Sequence, residues 1–135
     1  MRKGNFEEAL RYAGNSCSEA EKYGWRPAYV IALELQLRIL LKLDKAGNVI
    51  SIADEGILMV ERMNYATLEL LIRISKAKAL DLQGKTKLAV EQYQTAVTII
   101  HKLAENMSND DLKKSFLSNK RISPVPELAQ HNFVN

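Results

Sequence analysis

The chain has 135 residues, of which 47% are hydrophobic, and it carries a formal net charge of +3. This length allows one continuous core, and the apolar fraction is typical of a globular domain. The charge is too small to indicate nucleic-acid binding by itself, and no apolar run reaches the roughly 18 residues that a membrane span needs. The single cysteine, Cys17, excludes a disulfide within the chain and favours a reducing cytoplasmic compartment.

The spacing of apolar residues predicts helices from end to end of the chain. Apolar positions recur at intervals of three and four, and glycines and prolines fall almost wholly at segment boundaries. The predicted helices run from Phe6 to about Tyr23, from Pro27 to Leu43, from Val49 to Met63, from Ala66 to Gln83 and from Thr86 to Asn106. The second helix is apolar over most of its circumference, which predicts burial on several sides.

The C-terminal part shows a weaker pattern. A short sixth helix is predicted to start near Ser108, because Ser108 followed by Asp111 resembles a capping box. From Ser118 the pattern fades, and 123–126 is predicted to be extended, since a proline disfavours helix in the residue before it. These features divide the chain into a helical domain, residues 1–117, and a proline-containing tail, residues 118–135.

A short sequence motif recurs along the chain. Leu-Asp-Lys-Ala-Gly-Asn at Leu43–Asn48 returns as Leu-Asp-Leu-Gln-Gly-Lys at Leu80–Lys85, and a Gly-Asn pair opens the chain at Gly4. The glycines lie 43 and then 37 residues apart, and an alanine follows each of them after five or six residues. A period near 40 is typical of stacked helical repeats. We expect each glycine to lie in the turn between two paired helices.

The order of small and large residues around the second motif resembles that of the tetratricopeptide repeat. The matching residues are Ala77, Leu80, Gly84, Ala89, Tyr93 and Ala96, and Leu40, Leu43, Gly47, Ala53, Ile57 and Val60 match more loosely. The units are nearer 40 than about 34 residues long, which is similar to the longer-helix variant of bacterial signalling proteins, including maltose-activator-like transcription regulators and multidomain nucleotide cyclases. The stretch Asp111–Leu117, followed by Asn119 and Arg121, looks like the segment that ends the repeats in those proteins.

The resemblance implies antiparallel helical hairpins stacked as a short right-handed superhelix, with about two and a half repeats and a short closing helix. In this phase Gly4 falls inside a helical pair, so the chain begins with a second helix that lacks its first. We therefore expect either that the chain is the C-terminal piece of a longer protein, or that its unpaired N-terminal helix pairs with a second copy in a homodimer.

Signs of catalysis or of a cofactor site are lacking in the sequence. The histidines are His101 and His131, no Cys/His cluster has the spacing of metal ligands, and no glycine-rich phosphate loop occurs. His101 lies near the predicted end of the fifth helix, where a helix-end or surface role is the simpler interpretation. We expect a non-catalytic protein without a cofactor or metal ion.

The resemblance places the first helices of successive repeats on the concave side of the superhelix. The residues expected to line this candidate protein-binding groove are Glu34, Leu37, Arg38, Leu41, Leu71, Ile74, Ser75 and Lys78. Apolar residues flanked by Arg38 and Lys78 suit a peptide or helix that offers hydrophobic anchors and a carboxylate. The competing interpretation is that these residues pack against the last helix or the tail.

The sequence favours a non-catalytic protein-interaction module, expected to be the C-terminal regulatory part of a larger bacterial signalling or transcription protein, with a protein or peptide partner and no membrane contact. The alternative is a small helical protein associated with DNA or RNA, which is suggested only by the basic residues near both ends. The mixture of acidic residues among those basic ones favours a solvated charged face instead.

Overall fold

The computed structural model of the chain describes the backbone of residues 3–22 and 26–130, and the side chains of residues 7–16 and 28–130. All regular elements in these ranges are helices, so the all-α prediction is confirmed. They are α1 (Lys3–Lys22), α2 (Arg26–Lys42), α3 (Ala46–Met63), α4 (Ala66–Leu82), α5 (Thr86–Glu105), α6 (Asp110–Leu117) and α7 (Val125–Leu128). Residues 23–25, between the first two predicted helices, and residues 131–135 of the predicted tail, including His131, lie outside the described residues.

Helices that follow one another in the chain pack against each other from α1 to α5, and α2 also contacts α4. The side chains of Val30, Leu33 and Leu37 are almost fully buried in α2, which confirms the prediction from its apolar circumference. Both α6 and α7 lie against α5. The two helical hairpins, α2–α3 and α4–α5, therefore meet where α4 packs against both α3 and α2.

The two hairpins repeat with a step of 40 residues. Helix α2 begins at Arg26 and ends at Lys42, and α4 begins at Ala66 and ends at Leu82. Burial follows the same step, because Val30, Leu37 and Leu40 are buried in α2 just as Leu70, Ala77 and Leu80 are in α4. The α2–α3 hairpin and the α4–α5 hairpin are thus two copies of one structural unit.

The turns inside the hairpins show the same step. The Lys45 amide donates to the Leu40 carbonyl at 3.0 Å, and the Lys85 amide donates to the Leu80 carbonyl at 2.9 Å. Left-handed backbone angles precede these amides, with φ of 58° at Asp44 and 76° at Gly84. Both turns are Schellman caps, in which a left-handed residue closes the helix.

The turn positions correct the predicted phase of the first unit. The prediction placed Gly4, Gly47 and Gly84 in turns, and this is right only for Gly84. Gly4 lies in the first turn of α1, and Gly47 is the second residue of α3. The left-handed position is filled by Asp44, because a short polar side chain tolerates that conformation better than most. In the structure, Gly84 therefore aligns with Asp44, three residues before Gly47, with which the repeated motif had paired it.

Small residues allow the helices to cross closely. Ala77, Ala89 and Ala96 are buried, as is Tyr93, which confirms the packing predicted for the second unit. Forty residues before Ala96 lies Gly56, and a Cβ atom built there would be 2.9 Å from Leu33 Cδ2. The close crossing in the first unit thus depends on Gly56, which the sequence argument did not identify.

The start of α6 differs from the prediction. The Asn109 side chain caps the helix, because its Oδ1 accepts a hydrogen bond from the Leu112 amide at 2.9 Å. The predicted capping box of Ser108 and Asp111 is wrong by one residue. Serine and asparagine are both good caps by type. Asn109 has the extended backbone that precedes a helix, with φ of −91° and ψ of 117°.

The segment predicted to be extended, 123–126, runs into the short helix α7, so that prediction is wrong for Pro124, Val125 and Pro126. Pro124 precedes α7 with helical angles, φ −76° and ψ −16°, and Pro126 is the second residue of the helix. Proline is tolerated in the first turn of a helix, because the N–H group that it lacks would have no acceptor within the helix there. The steric cost at Val125, which precedes Pro126, is offset by burial. Ile122, Val125 and Ala129 join the hydrophobic core formed by α4 and α5.

Candidate functional site

The structure separates the eight predicted groove residues by exposure. Glu34, Leu37, Ile74 and Ser75 are buried, Leu41 and Leu71 are half-buried, and Arg38 and Lys78 are exposed. A partner in solution can therefore reach mainly the two cations and the edges of the two leucines. Of the buried members, Leu37 and Ile74 belong to the hydrophobic core.

Arg38 and Lys78 occupy the same position in the two hairpins, since they are 40 residues apart. Both line a depression of about 280 Å³ between α2 and α4. Its walls are formed by Arg38, Leu41, Lys42, Ser75, Lys78 and Arg121. We call this feature the cationic depression, because four of these six residues are arginine or lysine.

Glu34 lies beneath the cationic depression. Its side chain is only 7% exposed, and its Oε2 lies 3.2 Å from Arg38 Nε, one helical turn away. Its Oε1 lies 2.8 Å from Arg121 Nη1, although no well-aligned hydrogen bond reaches Oε1 within the described part of the chain. One buried carboxylate is thus held by two guanidinium groups, as a buried charge requires.

The charge balance of the depression is positive. Although much of the Lys78 side chain is exposed, partial burial is the main cause that lowers the pKa of its amine, and the positive charges of Arg121 and Lys42 lower it further. Each of these effects disfavours the protonated amine. A negatively charged group in the depression would relieve this repulsion, so the site favours an anionic ligand.

Arg121 comes from the C-terminal segment, which we define as residues 118–130. A turn after α6 presents it: Asn119 Oδ1 accepts from the Arg121 amide at 2.9 Å, and the Asn119 carbonyl accepts from the Ile122 amide at 3.0 Å. The next residue, Ile122, is buried in the core. The turn and the buried neighbour together fix where the Arg121 side chain starts.

Arg121 is predicted from the sequence only as part of a family-like ending and not as a residue of the groove. Its contact with Glu34 joins residues 87 positions apart, and no periodic pattern links them. A usable signal was the polar residue Glu34 in a helix predicted to be buried, because a buried carboxylate needs a cationic partner.

Residues suited to catalysis do not converge in the described ranges. His101 is exposed near the end of α5. No group of three or more histidine, cysteine, aspartate or glutamate side chains in the described part of the chain is placed to hold a metal ion. Among the described helices, none combines the length and the apolar character needed to cross a membrane.

Comparison with known proteins adds no further constraint. Neither a protein family, nor a curated protein, nor a solved structure matches the chain. The geometry of the cationic depression and the repeated hairpins are therefore the features that bear on function.

Proposed function

We propose that this chain is a non-catalytic protein-interaction module of the tetratricopeptide type, and that its cationic depression receives a carboxylate from an acidic segment of a partner protein. The observation that carries the proposal is the convergence of Arg38, Lys42, Lys78 and Arg121 on one depression between the two hairpins. These residues come from three separate parts of the chain, so the cluster is a product of the fold.

The chemistry of the depression suits a peptide better than an isolated ion. Arginine offers a planar fork of donors that matches a carboxylate, and lysine adds a compact charge. Leu41 lies in the same wall and provides an apolar contact beside the charges. A partner segment that places a hydrophobic side chain next to an acidic one would satisfy both features.

Repetition supports an extended mode of binding. The equivalent positions of Arg38 and Lys78 present one cation from each hairpin to the same side of the molecule. A partner that runs across α2 and α4 would therefore meet a charge in each unit. Stacked helical repeats are well suited to such contacts, because their inner helices form a continuous surface.

In this proposal the chain serves a larger bacterial signalling or transcription protein as its C-terminal regulatory part. The support is the likeness of its hairpins and of Asp111–Leu117 to the repeat regions of such regulators. An interaction module of this kind would couple the state of a partner to the activity of the protein that carries it.

The test is a titration of a fluorescently labelled peptide that contains adjacent acidic and leucine residues. Arg38→Gln combined with Lys78→Gln should weaken binding at least tenfold, since each charged hydrogen bond contributes about 1.5 kcal/mol or more. The matched control replaces two exposed lysines of α5, Lys87→Gln and Lys102→Gln, and changes the net charge equally. Equal affinities in both double variants would refute the proposal.

A titration with labelled single-stranded DNA or RNA tests the nucleic-acid alternative. Binding to single-stranded DNA or RNA with a steep fall in affinity as salt is raised would support that alternative, because neutralised phosphates release counterions. Peptide binding through one depression should depend on salt much less steeply.

A further inference from the structure

We propose that the C-terminal segment is a working part of the binding site: Glu34 holds Arg121 in the cationic depression, so that docking of the segment and capture of an acidic partner are coupled. This inference rests on the proposed function for its partner, but the docking of the segment can be measured without one.

Glu34 is an exception to the repetition of the two hairpins. The equivalent residue in α4 is Ile74, whose side chain is buried in the core. An apolar residue therefore fits this position of the unit, and a carboxylate there carries the cost of leaving water. Glu34 is held by Arg38 from its own helix and by Arg121 from the far end of the chain. The exception thus lies where the C-terminal segment meets the first hairpin.

Arg121 can serve Glu34 and a ligand together. A guanidinium group has five N–H donors, and the contact with Glu34 at 2.8 Å is made by Nη1. The side chain is 24% exposed and lines the depression beside Lys78. Its remaining donors are therefore available to a carboxylate that enters the depression.

The position of Arg121 depends on the docking of the whole segment. Ile122 and Val125 are buried against residues of α4 and α5, and the Ala129 carbonyl accepts a hydrogen bond from Gln94 Nε2 at 3.4 Å. A bound partner carboxylate would add a further contact to the docked form. By linkage, a ligand that prefers the docked form strengthens docking by the same factor by which docking strengthens its binding.

The direction in which Glu34→Leu changes the affinity for the acidic peptide distinguishes a positioning role of Glu34 from a purely electrostatic one. Glu34→Leu removes a negative charge from beneath four cations, so electrostatics alone predicts tighter binding of the acidic peptide. If Glu34 positions Arg121, binding should instead weaken, by about tenfold for the loss of one charged contact. Leucine suits the site because the equivalent residue of the other hairpin is apolar, so the variant is expected to fold.

Two further variants complete the peptide experiment. Asp81→Asn removes a carboxylate one turn after Lys78 without touching Arg121, and it should bind as tightly as the original chain or more tightly. In a chain that already carries Arg121→Gln, Glu34→Leu should no longer weaken binding, because the residue it positions is gone.

Hydrogen exchange measures docking in the absence of a partner. The amides of Ile122, Val125 and Ala129 are bonded within the C-terminal segment, and Glu34→Leu should make them exchange several-fold faster, while amides of α3 keep their rates. In the original chain, saturating peptide should slow the same amides. Exchange in the segment that is unchanged by Glu34→Leu, or tighter peptide binding by that variant, would overturn the inference.

Failure of the proposed function has a different signature. If the original chain binds no acidic peptide, the assignment of the partner is wrong. The exchange rates then decide alone whether Glu34 anchors the C-terminal segment.

Discussion

Gly56 shows how one residue without a side chain determines the approach of two helices. It is buried in α3, and an added Cβ would lie 2.9 Å from Leu33 Cδ2 and 3.3 Å from Ile72 Cδ1. Both neighbours are themselves buried, so they have little room to move. Gly14 in α1 is the opposite case, since no atom lies within 4 Å of its added Cβ.

Alanine at these two glycines should therefore affect stability differently. Each substitution gains about 1 kcal/mol of helix propensity, but at Gly56 this gain is opposed by overpacking, which costs about 1–3 kcal/mol. Chemical denaturation should show Gly14→Ala to be more stable than Gly56→Ala by at least about 1 kcal/mol. Equal free energies of unfolding would show that the packing around Gly56 can accommodate an added methyl group.

Tyr93 gives the protein a dependence on high pH. Burial, together with the charge of Asp81, raises the pKa of its phenol to about 12 from the ordinary value of 10.0. In the unfolded chain the phenol ionises near 10, whereas the folded chain retains the proton. Its contribution to stability is therefore present below pH 10 and is lost as the pH rises towards 12.

This prediction can be followed by phenolate absorbance. The Tyr93 phenol should titrate late in the folded chain, and Tyr93→Phe should remove that late phase. The same variant should lose less stability than the original chain between pH 9 and pH 11. A titration in which all tyrosines ionise near pH 10 while the fold persists would contradict the burial of this phenol.

At the scale of elements, the helices could be predicted from the sequence, but the phase of the first repeat could not. The boundaries of α2, α4 and α5 agree with the prediction to within one residue, whereas α3 begins at Ala46, three residues before the predicted Val49. The phase failed because glycine was taken as the marker of the turn, whereas Asp44 fills the left-handed position and Gly47 lies within α3. Left-handed backbone is permitted to aspartate by its local environment, which a single sequence does not display.

The C-terminal segment was predicted less well, for a related reason. Proline statistics describe local preference, but the burial of Ile122 and Val125 is a tertiary effect. The candidate site divides in the same way. Arg38 and Lys78 follow from the helical register, whereas Arg121 reaches Glu34 only through a contact distant in the sequence.

Helix α7 should contribute to stability through one face only. Val125 is 1% exposed and Leu128 is 41% exposed, although both belong to the same short helix. Val125→Ala should lower the free energy of unfolding by about 2 kcal/mol, and Leu128→Ala by no more than about 0.5 kcal/mol. Thermal or urea denaturation of the two variants measures this difference, and similar losses would mean that α7 does not close the core.

At the scale of the whole molecule, Arg73 joins three helices. Its Nη2 lies 3.1 Å from Glu61 Oε1 of α3, its Nε donates to Glu69 Oε2 at 2.8 Å within α4, and its Nη1 donates to Gln92 Oε1 of α5 at 3.0 Å. The side chain is 15% exposed, so these contacts are partly shielded from water. The network connects α3 of the first hairpin to α4 and α5 of the second.

Removing this connection should weaken the whole fold. Arg73→Met keeps the length of the side chain but leaves Glu69 and Gln92 without their donor, which should cost about 1–3 kcal/mol. Arg62→Met, at an exposed position of α3, should change stability by no more than about 0.5 kcal/mol. Denaturant titration distinguishes the two variants, and an Arg73 variant as stable as the Arg62 variant would show that the hairpins are joined by the core alone.

Because the hairpins repeat every 40 residues, this architecture can be lengthened by inserting whole hairpins. A chain with a second copy of residues 26–65 inserted before Ala66 would meet the same kinds of neighbours at each new boundary, since α2 and α4 begin and end at equivalent positions. The inserted Glu34 would then lie beside the unchanged C-terminal segment. Duplication of a hairpin would thus lengthen the surface formed by α2 and α4, and the cationic depression would remain beside the C-terminal segment.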